Sequence, residues 1–189
     1  MNLISHPKEN NFEEKKLFDH LKNVGVNCLN EIKSQNLDLK ILNKRQLQRL
    51  SLIIGLFHDF GKATTWFQNY IRNKAQPSNY TNHSLISAIA TYHAAKNEYE
   101  EIFAYLAFQV VARHHNNLTA YDWSNKELNY NLLKAQISNI TKHHFQTLAN
   151  FYSQFNISIE FLKEIDWTGF KDLIEFSEEI IEDLNEKEN

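Results

Sequence analysis

The sequence predicts an all-α fold in a single domain spanning residues 1–189, and three observations carry that prediction. Only four Gly and two Pro occur in 189 residues, too few to punctuate a chain of many short strands. Apolar residues recur at helical three- and four-residue spacing over long stretches, and no segment alternates convincingly as a strand. The composition is 42% hydrophobic and 13% aromatic, enough at this length for one core and not two.

The elements follow in order. Residues 1–12 are polar apart from Leu3 and Ile4 and read as irregular. A helix is expected over 13–35, burying Leu17, Leu21, Val24 and Cys28, with His20 on the same side. After a connection at 36–43, a central helix runs over 44–59, its inward stripe formed by Leu47, Leu50, Ile54 and His58. Gly61 is expected to stop it. A helix over 64–74 carries Trp66, Phe67, Tyr70 and Ile71. Pro77, Ser78 and Asn79 mark a loop, after which Thr81 or Asn82 caps a helix with His83 in its first turn and Ile86, Ala90 and Tyr92 along it. The most apolar helix, 101–115, leads through Phe103, Leu106, Ala107 and Val110 to His114 and His115. The last third shows helical patterning at 126–140, 144–155 and 170–184.

Bulk properties exclude several classes. A net charge of −3 gives no global basic field, so nucleic-acid contact needs a local patch or a partner. The single cysteine, Cys28, forbids an internal disulfide and suits a reducing cytoplasm. No apolar run matches a membrane span, and the N-terminus lacks the pattern of a signal peptide.

The chemistry gathers at residues 53–62, I-I-G-L-F-H-D-F-G-K. An apolar run delivers His58 and Asp59 to a helix end, where an imidazole and a carboxylate turned inward are costly unless something cationic binds both. A divalent metal does so, because neutral imidazole and ionised carboxylate are its usual ligands. Single inward histidines usually bond a backbone carbonyl. Here His20, His58 with Asp59, His83, His114 and His115 all continue apolar stripes on four helices, which points to a shared metal centre. His93, His143 and His144 read as packing or surface residues, and His6 is left outside the centre. Lys62, just past the pair, is placed to meet a phosphate oxygen.

These residues together resemble the HD superfamily of metal-dependent phosphohydrolases, and one branch of it closely. The matching stretches are 17–24 (L-F-D-H-L-K-N-V), 55–71 (G-L-F-H-D-F-G-K-A-T-T-W-F-Q-N-Y-I), 83–90 (H-S-L-I-S-A-I-A), 111–118 (V-A-R-H-H-N-N-L) and the S-H-P at 5–7. That branch is the HD nuclease domain of the CRISPR type I effector nuclease–helicase. The resemblance implies two metals: His20, His58 and Asp59 for one, and Asp59, His83, His114 and His115 for the other, with Asp59 bridging. Lys62 matches the lysine of the family signature, and Asp59 and Lys62 are the expected catalytic residues. The family closes its first site with a late Asp in a small-residue-then-Asp context, and Asp166, Asp172 and Asp183 do not stand in that context. Helicase motifs are missing too, so the chain reads as part of a longer nuclease–helicase or as a stand-alone nuclease subunit.

The implied activity is hydrolysis of phosphodiester bonds in single-stranded DNA, by endo- or exonuclease action, in antiviral defence. A His-rich shell favours Mn, Fe, Co or Ni over Mg. Lys62, Arg113, and Arg72 or Lys74 are the expected phosphate contacts, and Trp66 or Trp123 the expected base-stacking surface. The expected partners are a helicase domain or subunit and the CRISPR surveillance complex. Two other readings are a small HD phosphohydrolase acting on a nucleotide and a catalytically silent adaptor of that complex.

Overall fold

The computed structural model describes residues 2–8, 13–115 and 128–175. Seven α-helices dominate them, accompanied by a two-stranded ladder that the sequence reading did not anticipate. Strand β1 (Ile4–His6) pairs antiparallel with β2 (Lys15–Lys16) through an irregular register. Leu17 N–H then donates to Leu3 O at 2.9 Å. Helix α1 (Leu17–Ser34) therefore begins four residues later than expected, because Lys15 and Lys16 are committed to the ladder.

Helix α1 buries Leu17, Leu21 and Gly25, one residue per turn, with Val24 and Cys28 only half-buried beside them. Helix α2 (Lys44–Phe57) opens with a capping box: Asn43 Oδ1 accepts Gln46 N–H, and Gln46 Oε1 accepts Asn43 N–H, both at 2.9 Å. The two helices touch backbone to backbone. A Cβ built on Gly55 would sit 2.6 Å from Gly25 Cα, so glycine is required there by proximity. The inward stripe of α2 differs from the expected one: Leu50 is buried, but Leu47, Ile54 and His58 are only half-buried, and Leu52, Ile53, Leu56 and Phe57 form the core face.

A 3-10 turn (Phe60–Ala63) follows His58 and Asp59, and Thr64 caps α3 (Thr65–Ile71) by accepting Phe67 N–H at 3.1 Å. Gly61 does not end α2 through a left-handed conformation, because no glycine has positive φ. Its role is close packing: a Cβ there would meet Ile86 Cγ2 at 2.3 Å and His83 O at 2.5 Å. Helix α4 (Ser84–Lys96) starts one residue after His83, which is its N-cap position, and α5 (Glu101–Ala112) ends just before His114 and His115. On α5 the buried line runs through Ala104, Ala107, Phe108 and Val111, while Leu106 and Val110, expected inside, are exposed.

Helix α6 (Tyr130–Ser153) is continuous across the break expected at 140–144. No fully buried residue lies between Ile140 and Leu148, so the apolar period lapses there without the helix ending. Its far end reaches the centre of the molecule, where Tyr152 stacks on Phe57 at 4.2 Å and donates to Leu56 O at 3.0 Å. A 3-10 turn (Glu160–Lys163) and α7 (Trp167–Glu175) complete the described chain. Among the described residues, no helix is long and apolar enough to cross a membrane.

Candidate metal centre

Four local structures bring side chains together around one carboxylate, Asp59. His20 comes from the first turn of α1, and His58 and Asp59 from the turn ending α2. His83 comes from the N-cap of α4, and His114 and His115 from the turn after α5. The turn is pinned to α4 one helical turn below His83, where Gly61 N–H donates to the buried Ser87 Oγ at 2.8 Å. Asp59 is 2% exposed, and its two oxygens face different groups. Oδ2 lies 2.9 Å from His20 Nε2, 3.3 Å from His58 Nε2 and 2.8 Å from Lys62 Nζ. Oδ1 lies 3.1 Å from His83 Nε2 and 3.4 Å from His114 Nε2. His115 Nε2 stands 2.9 Å from His83 Nε2. Donor atoms thus form two groups that share Asp59, each within 4.8 Å: His20, His58 and Asp59, and Asp59, His83, His114 and His115.

The protonation pattern shows what such a cage accepts. His58 Nδ1–H donates to Gly55 O and His114 Nδ1–H to Val111 O, each at 2.7 Å. In the neutral ring each Nε2 therefore carries a lone pair turned toward Asp59. Asp59 Oδ1 and His114 Nε2 are buried without a hydrogen-bond partner. Lone pair facing lone pair in a buried site is unfavourable unless a cation lies between them. Burial alone would raise the Asp59 pKa, but wherever His114, His20, His58 and His83 carry hydrogen on Nε2 and donate it to Asp59, they outweigh burial and hold the carboxyl well below the usual range. Burial lowers the pKa of His83. Burial, with His114 and His83 alongside, lowers that of His115 to about 4. Neutral imidazoles around an ionised carboxylate are the donor set that a divalent transition metal takes, so these residues fit the expected ions.

The expected phosphate contacts are placed less openly. Lys62 is 6% exposed and holds Asp59, with Ser5 O at 3.4 Å. Arg113 caps α5 and is 8% exposed. Arg72 bonds Gln68 O at 3.1 Å and also Gln68 Oε1 and Asn2 O, leaving Lys74 exposed beyond it. Trp66 packs against Tyr80 with ring centroids 4.6 Å apart, and Trp123 lies outside the described residues.

No late aspartate among the described residues joins the centre. Asp166 Oδ1 instead accepts Gly169 N–H at 2.9 Å, Asp172 is exposed on α7, and Asp183 lies outside the described residues. His93 packs against Tyr92, Phe161 and Phe170, His143 is exposed, and His144 is half-buried on α6. His6, set aside in the sequence reading, stands edge-on to His20 with ring centroids 5.1 Å apart.

Sequence reasoning missed the supports of the centre. The two carbonyls that orient His58 and His114 leave no trace in side-chain identity. Gln68 did leave one, as the polar residue inside W-F-Q. Fully buried, its amide takes Ile4 N–H at 3.0 Å and donates to Ile4 O and Lys62 O, each at 2.8 Å.

Comparison with known proteins places this geometry in a family. No solved structure matches the chain. The CRISPR-associated nuclease/helicase Cas3 of Haloferax volcanii is 31% identical over 124 residues, covering 61% of this chain. The match spans only 13% of that relative's length. The family model "Cas3, HD domain" matches residues 8–170, which include every histidine and the aspartate of the two donor groups. The chain therefore belongs to the Cas3 HD-domain family.

Proposed function

We propose that this chain is a metal-dependent nuclease domain that hydrolyses phosphodiester bonds of single-stranded DNA in CRISPR type I interference. One observation supports this reading most: the two oxygens of buried Asp59 face separate sets of imidazoles. We assign His20, His58 and Asp59 to one ion and Asp59, His83, His114 and His115 to a second. Two bound ions supply charge to balance a phosphoryl transition state and acidity for the attacking water.

The chain's own residues do the rest. Asp59 holds both positions in register, so its loss affects both. The carbonyls of Gly55 and Val111 fix the tautomers of His58 and His114, so neither ring turns away from the centre. Lys62 compensates the Asp59 charge in the metal-free protein. Were a metal to take over that carboxylate, the buried ammonium would remain beside the centre as a point charge toward a substrate phosphate. Arg113, buried at the end of α5, contributes positive potential rather than a direct contact. Helicase action and recruitment belong to a separate domain or subunit and to the surveillance complex.

The test is incubation of chelator-stripped protein with labelled single-stranded and duplex DNA and with nucleotides, adding one metal at a time. Cleavage of single strands, stronger with Mn, Co or Ni than with Mg, is expected. Nucleotide turnover without strand cleavage would assign the centre to a small phosphohydrolase. Metal binding with neither activity would leave an adaptor.

A further inference from the structure

We propose that His6 is an additional ligand of the ion held on the His20–His58 side, a proposal that rests on the two-ion reading above. The His20–His58–Asp59 group offers three donors where the other group offers four, and no second carboxylate among the described residues joins it. His6 stands beside that group, against His20. Its ring is edge-on to His20 at 5.1 Å and an interplanar angle of 82°. Ring pairs within the two groups lie in the same range, at 4.9 Å for His20–His58, 5.0 Å for His83–His115 and 5.8 Å for His83–His114.

The backbone under His6 is fixed. Gln68 clamps Ile4 on both its N–H and its carbonyl, Lys62 Nζ reaches Ser5 O, and β2 pairs with β1. The ring itself is exposed, so it turns at little cost. Ser5 Oγ donates to Lys15 O at 3.3 Å and stands 3.1 Å from His6 Nδ1. With its hydrogen given to Lys15, the hydroxyl accepts Nδ1–H, and His6 Nε2 keeps its lone pair. That is the tautomer His58 and His114 adopt. The His6 nitrogens are not among the atoms within 4.8 Å of one another, so the ring must swing toward His20 as the ion enters. An exposed ligand that orders only on binding gives a weaker shell than one already in place.

The experiment titrates chelator-stripped wild type and His6→Ala with Mn²⁺ in a calorimeter. In wild type, two binding events are expected. In His6→Ala the weaker event should lose roughly 10-fold or more in affinity while the tighter one is unchanged. A second readout is proton NMR of the Co²⁺-loaded wild type. His6 ring resonances, identified by their absence in His6→Ala, should carry large paramagnetic shifts characteristic of a coordinated imidazole. Identical isotherms with no such shifts would overturn the proposal and leave the nuclease reading intact. Unchanged isotherms with weakened oligonucleotide binding would overturn it in favour of a phosphate contact. No metal uptake by wild type would overturn both readings.

Discussion

The two halves of the centre are built differently although they share one carboxylate. On the His83 side, donors come from α4 and from the turn after α5, consecutive helices joined by only residues 97–100. His114 is oriented by Val111 O, three residues back on its own chain. On the His20 side the donors come from α1 and α2, whose alignment depends on the Gly25–Gly55 contact, with the β1 edge beside them. One half offers four donors and the other three. A metal shell with more donors, already in place, binds more tightly. The difference predicts unequal sites, and the carboxylate common to both is the place to break them together.

Asp59→Ala should have the largest effect. Removing the shared ligand strips both ion positions and leaves Lys62 without its partner. Nuclease activity should fall by about 100-fold or more, beyond the loss typical of an outer-shell change, and calorimetry should show neither tight event. A variant that keeps one full-affinity site would show that Asp59 does not bridge.

Next come single-side substitutions. His83→Ala should weaken the event that fills first in wild type, and His20→Ala only the later one, each by about 100-fold or more in affinity, beyond the loss typical of an outer-shell change. Mn²⁺ titration of the two variants reads this directly. Equal effects on both events would mean the sites are coupled too strongly for a separate order of filling.

A third change acts through packing. Gly55→Ala would bring a methyl within 2.6 Å of Gly25 Cα and 2.9 Å of Gly25 N, backbone atoms that cannot turn aside. Gly25→Ala would meet Leu56 Cγ at 2.8 Å and Leu52 Cδ1 at 3.2 Å, side chains that can adjust. The expected cost is about 1–3 kcal/mol for Gly55→Ala, by overpacking, and less for Gly25→Ala. Forcing α1 from α2 also widens the 3.1 Å approach of His20 to His58. Thermal melts should rank the variants, and metal titration of Gly55→Ala should weaken the His20-side event more than the His83-side one.

What the sequence disclosed tracks what side chains encode. Helical spacing gave the helices, and the clustering of inward histidines gave a centre whose members do converge. The ladder was illegible because Lys15–Lys16 is too short and polar to alternate, and the strand it pairs with is held by Gln68, distant in sequence. The spurious break in α6 arose where the polar run Thr141–His144 interrupts the apolar period. Leu106 and Val110 were misplaced because nearly every residue of α5 is apolar, so periodicity cannot choose its inner face. The closeness of His6 to His20 is illegible as the ladder is, since nothing in the β1 segment signals it.

His93 gives the control with the smallest effect on the centre. It shares α4 with His83, but ten residues separate them, about 15 Å along a helix. Its surroundings are aromatic and its Nε2 is buried without a hydrogen-bond partner. Burial lowers its pKa to about 4, Lys96 adds to that, and Asp166 opposes it. The ring is therefore neutral in the folded protein down to about pH 4, whereas in the unfolded chain it takes a proton below about pH 6.5. Between those values the unfolded state binds more protons, so the stability contribution is complete above pH 6.5 and lost progressively toward pH 4. The expected loss from pH 7.5 to pH 5 is about 2 kcal/mol, roughly 4–8 °C in melting temperature for a domain of this size. His93→Leu keeps the apolar contacts and removes the titration, so its melting curve should fall less over that range. His115, also lowered to about 4, titrates in both proteins and cancels in the comparison. Metal affinity should be the same in both. Parallel pH profiles would mean that His93 is protonated alike in the folded and unfolded chain, and a change in metal uptake would tie the far end of α4 to the centre.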